Sequence, residues 1–324
     1  MNDYSPKTGS TSDTTWERAT LEKLVLAQVN EARASRRWRM VKTLLWLLLF
    51  AAFVYALFMD NPEKTKVAGL SEPHTALINI YGEIGADAEA SSENLLPSLR
   101  KAFESSGAQA VVLHIDSPGG SPVQAGLIND EVKRLKAKYN KKVIVVVGEM
   151  CASAAYYIAA SADEIYVDKA SIVGSIGVLM DGFGFTGTME KLGIERRLMT
   201  AGSNKGMLDP FSPLKPEDAV HVQTMLEQIH QQFIAVVKAG RGKRLQETPD
   251  TFSGKFWTGE ESIRLGLADH LGGVDYVARE VVKAEEIVDY TPNQNVAERL
   301  AKKFGASVGA GAYKAAMEHG LAVR

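Results

Sequence analysis

One cysteine, Cys151, is all the thiol this sequence carries. A single thiol excludes an intrachain disulfide and a multi-cysteine zinc site, yet leaves an oxidising compartment open, since disulfides are optional there. Histidine is scarce as well, at positions 74, 114, 221, 230, 270 and 319 only. His114 falls in an apolar strand-like run and reads as a core or strand-end residue. The others stand at no spacing from serine and aspartate that supports a Ser-His-Asp triad. Excess charge is absent too: a formal net charge of −2 with 23% charged residues excludes the basic footprint of a nucleic-acid binder. No long internal repeat is visible. The 324 residues, 45% of them apolar, suit one α/β domain of roughly 200 to 250 residues with appendages.

What the chain does have is one unbroken apolar run. "VKTLLWLLLFAAFVYALFM", 41 to 59, has a charge only near its start, and Leu44 to Met59 is long enough to span hydrocarbon with interfacial residues included. It has no polar face, as a core helix would need. The lead-in of roughly 40 residues is longer than a usual leader, and no A-x-A site follows, so an uncleaved anchor is expected. Arg33, Arg36, Arg37, Arg39 and Lys42 crowd its amino side, against Lys64 and Lys66 with Asp60 and Glu63 beyond it. That asymmetry keeps the amino terminus cytoplasmic and puts everything after residue 60 across the membrane. The expected organisation is a cytoplasmic tail over 1–40 with an amphipathic helix from Trp16, a transmembrane anchor over 41–59 and a linker over 60–74. A catalytic domain over 75–290 and a helix-prone, glycine-interrupted tail over 291–324 follow.

Within 75–290 short apolar strands alternate with helical patterns. "TALINIYGEIG", "AVVLHID", "KKVIVVVGE" and "EIYVD" read as strands; "SENLLPSLRKAFESSG", "SPVQAGLINDEVKRLKAKYN", "SAAYYIAASAD" and "LEQIHQQFIAVVKAGRGKRL" read as helices. The alternation predicts a layered α/β fold with parallel strands.

Two strand-to-helix turns are candidates for chemistry. "HIDSPGGSP", 114 to 122, leaves a strand through Pro118, Gly119 and Gly120, so its backbone N–H groups can point into a cleft; an ordinary tight turn is the plainer reading. In "EMCASAAYYIA", Ser153 follows a strand and opens a helix, near free N–H groups and the positive end of the helix dipole. Read alone, it is an N-cap, the common use of serine there. Together the turns leave the carboxyl ends of parallel strands, where α/β sheets bind ligands. There Ser153 can meet an oxyanion cradle made by the N–H groups of Gly120 and Ala154. Cys151 is a minor second candidate nucleophile.

A serine needs a base, and without a triad histidine a lysine can serve if burial lowers its pKa from the usual ~10.4. The best candidate is Lys205 in "TAGSNKGMLDPF", between small residues and an apolar stretch; an exposed loop lysine is the alternative. Ser175 in "IVGSIGVLM" is a hydroxyl able to hold that amine, or simply part of a glycine-flanked turn.

"DSPGG", "CASAAYYIA", "IVGSIG", "TAGSNKGMLDPF" and "FWTGEESIRLGLAD", in this order, resemble the signal peptide peptidase A family of membrane-bound serine proteases in its short single-domain form. The likeness covers roughly residues 75 to 285 and the anchor. It implies a Clp protease/crotonase-like fold of ββα units and a Ser/Lys dyad, with Ser153 as nucleophile, Lys205 as general base, Ser175 orienting the lysine and Gly120 as oxyanion donor. It further implies remnant signal peptides as substrates and a single-pass protein of the bacterial inner membrane with its protease domain extracytoplasmic. No metal or cofactor is implied. Short forms assemble into rings, octameric as a rule, whose sites take serine and lysine from neighbouring subunits. Two departures stand out: Ala154 and Ala155 replace two usual glycines, and Asn204 precedes Lys205 where an aromatic is usual, with a shorter spacer to "PF". The competing readings are a crotonase-type acyl-CoA enzyme, which predicts acidic catalytic residues and an unanchored chain, and a catalytically inactive membrane scaffold.

Overall fold

The computed structural model describes residues 71–292, the segment 38–51 and Lys23. The chain divides into two compact units, Lys66–Asn293 and Met1–Thr65 with Gln294–Arg324. In the second unit, residues 38–51 are helical and exposed. Among the described residues no helix is long and apolar enough to cross a membrane. Residues 52–59 of the expected anchor lie outside the described residues, as do linker residues 60–70, the tail from 293 onward and, apart from Lys23, the amphipathic segment.

The unit Lys66–Asn293 is built on an eight-stranded sheet. β1 (His74–Tyr81), β2 (Ala108–Ser117) and β3 (Lys142–Ala152) form its parallel centre. β2 and β3 carry "AVVLHI" and "KVIVVV", runs rich in β-branched apolar residues, because both their faces are covered. On one face α1 (Ser92–Glu104), α2 (Pro122–Tyr139) and α3 (Ala154–Ala159) join Leu113, Ile115, Val145 and Val147 in the main core. Alternation sends Val112, Ile144 and Val146 to the other face, where they meet Tyr166 and Val277. Caps set the helix ends. Ser121 accepts from the Gln124 N–H and Pro122 opens α2, while Asn140, at φ 51°, closes it.

β3 is longer than its neighbours. Its first half pairs with β4 (Glu164–Val167) and its last residues pair with β5 (Ile172–Gly174), both parallel. The strand thus changes its partner on that edge, from β4 to β5, before turning into α3. β5 pairs antiparallel with β6 (Phe256–Thr258), and β7 (His270–Leu271) and β8 (Ile287–Asp289) add to β4 and β1. Between β5 and the long helix α5 (Pro216–Arg241), the only helix is α4 (Thr186–Lys191). The small residues Gly240 and Ala160 let α5 close on the end of α3: a Cβ at Gly240 would fall 1.9 Å from the Ala160 carbonyl oxygen. There Arg241, 1% exposed, pairs with Asp269 at 2.7 Å and donates to the Gly266 carbonyl at 2.7 Å.

Candidate active site

The register of β2 against β3 sets Ser117 opposite Cys151, so the turns that follow the two strands emerge side by side. In the first, Gly119 and Gly120 have φ 105° and 141°, values reserved for glycine. The buried Ser117 hydroxyl accepts from the Gly119 N–H at 3.1 Å. The Ile84 N–H donates to the Gly119 carbonyl and the Ser121 N–H to the Ile84 carbonyl, both at 2.8 Å. This bridge uses the groups on either side of Gly120 and leaves the Gly120 N–H out of it. A side chain at Gly119 would press within 2.7 Å of the Ser153 Cβ, and one at Gly120 within 2.1 Å of the Ile84 carbonyl oxygen.

In the second turn Ser153 has φ 55° and ψ −124°, a conformation that costs a non-glycine residue of order 1–3 kcal/mol. Its N–H donates to the Gly174 carbonyl at 2.8 Å. Its hydroxyl makes no capping bond to α3, although Ser153 occupies the N-cap position. The N-cap role therefore does not account for this serine. Ala154 is the first residue of α3, where the helix itself offers its N–H no acceptor. Ala154 and Ala155 are buried in the main core, their methyls filling space that glycines would leave open.

Gly120, Ser153, Ala154 and Ser175 line one cavity of about 490 Å³, with Tyr157, Ile229 and Phe233 on its apolar side. Tyr157 and Phe233 pack with ring centroids 5.2 Å apart. The structure thus brings four of the five predicted site residues together within one chain. Lys205 is the exception: it is exposed and does not line this cavity. It sits in a turn-rich stretch, its N–H donating to the Gly202 carbonyl at 3.2 Å.

Cys151 is fully buried, and burial, with the Asp116 carboxylate adding to it, pushes its thiol far above the ordinary range. It is unsuited to act as a nucleophile. His114 is half-buried on the face of the sheet opposite α2 and α3, its Nδ1 2.8 Å from the Tyr81 hydroxyl. Burial lowers its pKa, with the Asp116 carboxylate working against that shift. Among the described residues no group of three or more His, Cys, Asp or Glu side chains is arranged to hold a metal ion.

Residues 135–288 match the family model described as Peptidase family S49. Over 188 residues the chain is 32% identical to a putative protease of Synechocystis, covering 58% of this chain and 67% of that one. It is 26% identical over 237 residues to a putative signal peptide peptidase SppA of Enterococcus faecium, covering 71% and 69%. A third relative, named Na(+)/H(+) antiporter NhaA in Brucella melitensis, is 49% identical over 174 residues. That match covers 54% of this chain but only 24% of the relative's length. The chain belongs to peptidase family S49, the family of the signal peptide peptidases A.

Proposed function

We propose that this protein is a membrane-anchored serine endopeptidase that degrades remnant signal peptides through a Ser/Lys dyad, on a Clp protease/crotonase-like scaffold. The observation that carries the reading is Ser153 itself. A serine held at φ 55° after a strand, with its hydroxyl uncommitted to the helix it precedes, is the arrangement of an exposed nucleophile at a sharp strand-to-helix turn.

In this mechanism the Lys205 amine takes the Ser153 proton as Oγ bonds to the peptide carbonyl carbon. The Gly120 and Ala154 N–H groups hold the resulting oxyanion, a contribution of about 3 kcal/mol per donor in other proteases. The C–N bond then breaks, the lysine returns the proton to the leaving amine, and water releases the acyl group by the same route. Ser175 orients the amine. The separation of Lys205 from the Ser153 cavity within one chain favours a site completed by Lys205 of a neighbouring copy, in a ring that the family's short forms make an octamer. So does the exposure of the segment bearing it, where Leu179, Phe183 and Met199 are 81%, 78% and 92% exposed. The apolar side of the cavity suits signal-peptide cores, and the name of the Enterococcus faecium relative agrees with that substrate class.

The test is labelling of the full detergent-solubilised chain with a fluorophosphonate. Mass spectrometry is expected to find the adduct on Ser153 and none on the Ser153→Ala chain. Label retained by Ser153→Ala, or none on the wild type, contradicts the reading.

A further inference from the structure

Ser175 has φ 53°, a conformation a serine keeps only where the peptide groups around it are held. Four hydrogen bonds hold them. On the amino side the Gly174 carbonyl accepts from the Ser153 N–H, and the Ser175 N–H donates to the Lys255 carbonyl, each at 2.8 Å. On the carboxyl side the Ser175 carbonyl accepts from the Gly177 N–H at 2.9 Å. The fourth bond joins the next carbonyl, that of the fully buried Ile176, to His230 Nε2 at 3.1 Å. It alone of the four comes from a side chain.

A carbonyl oxygen only accepts, so His230 Nε2 carries the proton in this bond. His230 is half-buried on α5, next to Ile229 of the cavity wall and one turn before Phe233, but does not itself line the cavity. Its reach is therefore to the backbone beside Ser175 and not to a substrate. The first of the four bonds also ties that backbone to Ser153, so one peptide segment sets where both hydroxyls stand.

We infer that His230 is a positioning residue, whose Nε2–H bond to the Ile176 carbonyl fixes the strained backbone at Ser175 and so places the Ser175 hydroxyl relative to Ser153. The inference rests on the protease reading, in which Ser175 orients the base. Loss of the bond leaves a buried carbonyl unpaired and frees the turn, while the apolar cavity wall that would bind a peptide stays in place.

The experiment compares His230→Leu and His230→Gln in the full detergent-solubilised chain, on an internally quenched peptide with a leucine-rich core. Melting temperatures are read alongside. Glutamine sets an amide N–H about where histidine sets Nε2–H; leucine keeps bulk and loses the donor. The expected result is a kcat for His230→Leu lowered roughly tenfold to a hundredfold, the range that small misplacements of reacting groups produce, with KM within about twofold of wild type. His230→Gln recovers most of that kcat. A wild-type kcat in His230→Leu overturns the inference. So does an equal loss in both variants, or a rise in KM that tracks the loss of melting temperature, since either marks a packing role alone. Ser153→Ala, assayed in parallel, separates the two levels. If it cleaves like wild type, the protease reading fails; if it is inactive while His230→Leu is not, only the positioning role fails.

Discussion

Gly119 shows how closely the two turns of the site depend on single atoms. Its φ of 105° disfavours any side chain, and a Cβ added there would stand 2.7 Å from the Ser153 Cβ, which leaves no room for a methyl group. Gly119→Ala is expected to push the turn off Ser153 and lower kcat/KM at least about a hundredfold, read on the same quenched peptide. Near-wild-type cleavage would mean that Ser153 does not work in the geometry described. Much of this was legible in the residues: a serine after a strand, a Pro-Gly-Gly turn after its neighbour, and hydroxyl-bearing Ser175 between glycines. That the Ser153 hydroxyl does not cap the helix it precedes was not, because this goes with a backbone angle that residue identity does not determine. His230 escaped sequence reasoning for a related reason. Its partner is a main-chain carbonyl 54 residues away, which leaves no side-chain pattern to find.

At the scale of elements, periodicity sufficed for the strand and helix succession of the core, since β2 and β3 are largely apolar through their middles and α2 carries its caps in the sequence. Pairing was less visible. That β3 divides its partners between β4 and β5, and that β6 joins antiparallel, depends on strands of three or four residues, too short to carry a period. The helices behind the site are joined by charge. Glu131 of α2 accepts from Arg100 of α1 and from Arg134 of its own helix, each at 2.6 Å, with its side chain 9% exposed. The hydrogen bond from Arg134, then that from Arg100 with the charges of both, outweigh burial and hold its carboxyl down to about 2 from an ordinary 4.5. A depressed folded-state pKa means the stabilisation is complete above 4.5 and is lost as pH falls toward 2. Denaturant titrations should therefore show wild-type stability falling through that interval and Glu131→Gln, already weakened at neutral pH, falling less. Parallel curves for the two chains would show that Glu131 is not tied as described.

For the whole molecule, the segment between β5 and α5 holds the question of assembly. It exposes Leu179, Phe183 and Met199 and places Lys205 outside the lining of the cavity that holds Ser153, so under the proposed mechanism a chain by itself has the nucleophile and cradle without the base. An apolar surface of this kind calls for a cover, and in the proposed assembly a second copy would supply both the cover and the amine. The most direct measurement mixes two inactive chains, Ser153→Ala and Lys205→Ala, under conditions where labelled subunits are seen to exchange. Return of peptide cleavage on mixing, with each variant silent alone, is the predicted result. Exchange without any return of cleavage, or activity in Lys205→Ala alone, would contradict a site shared between neighbours.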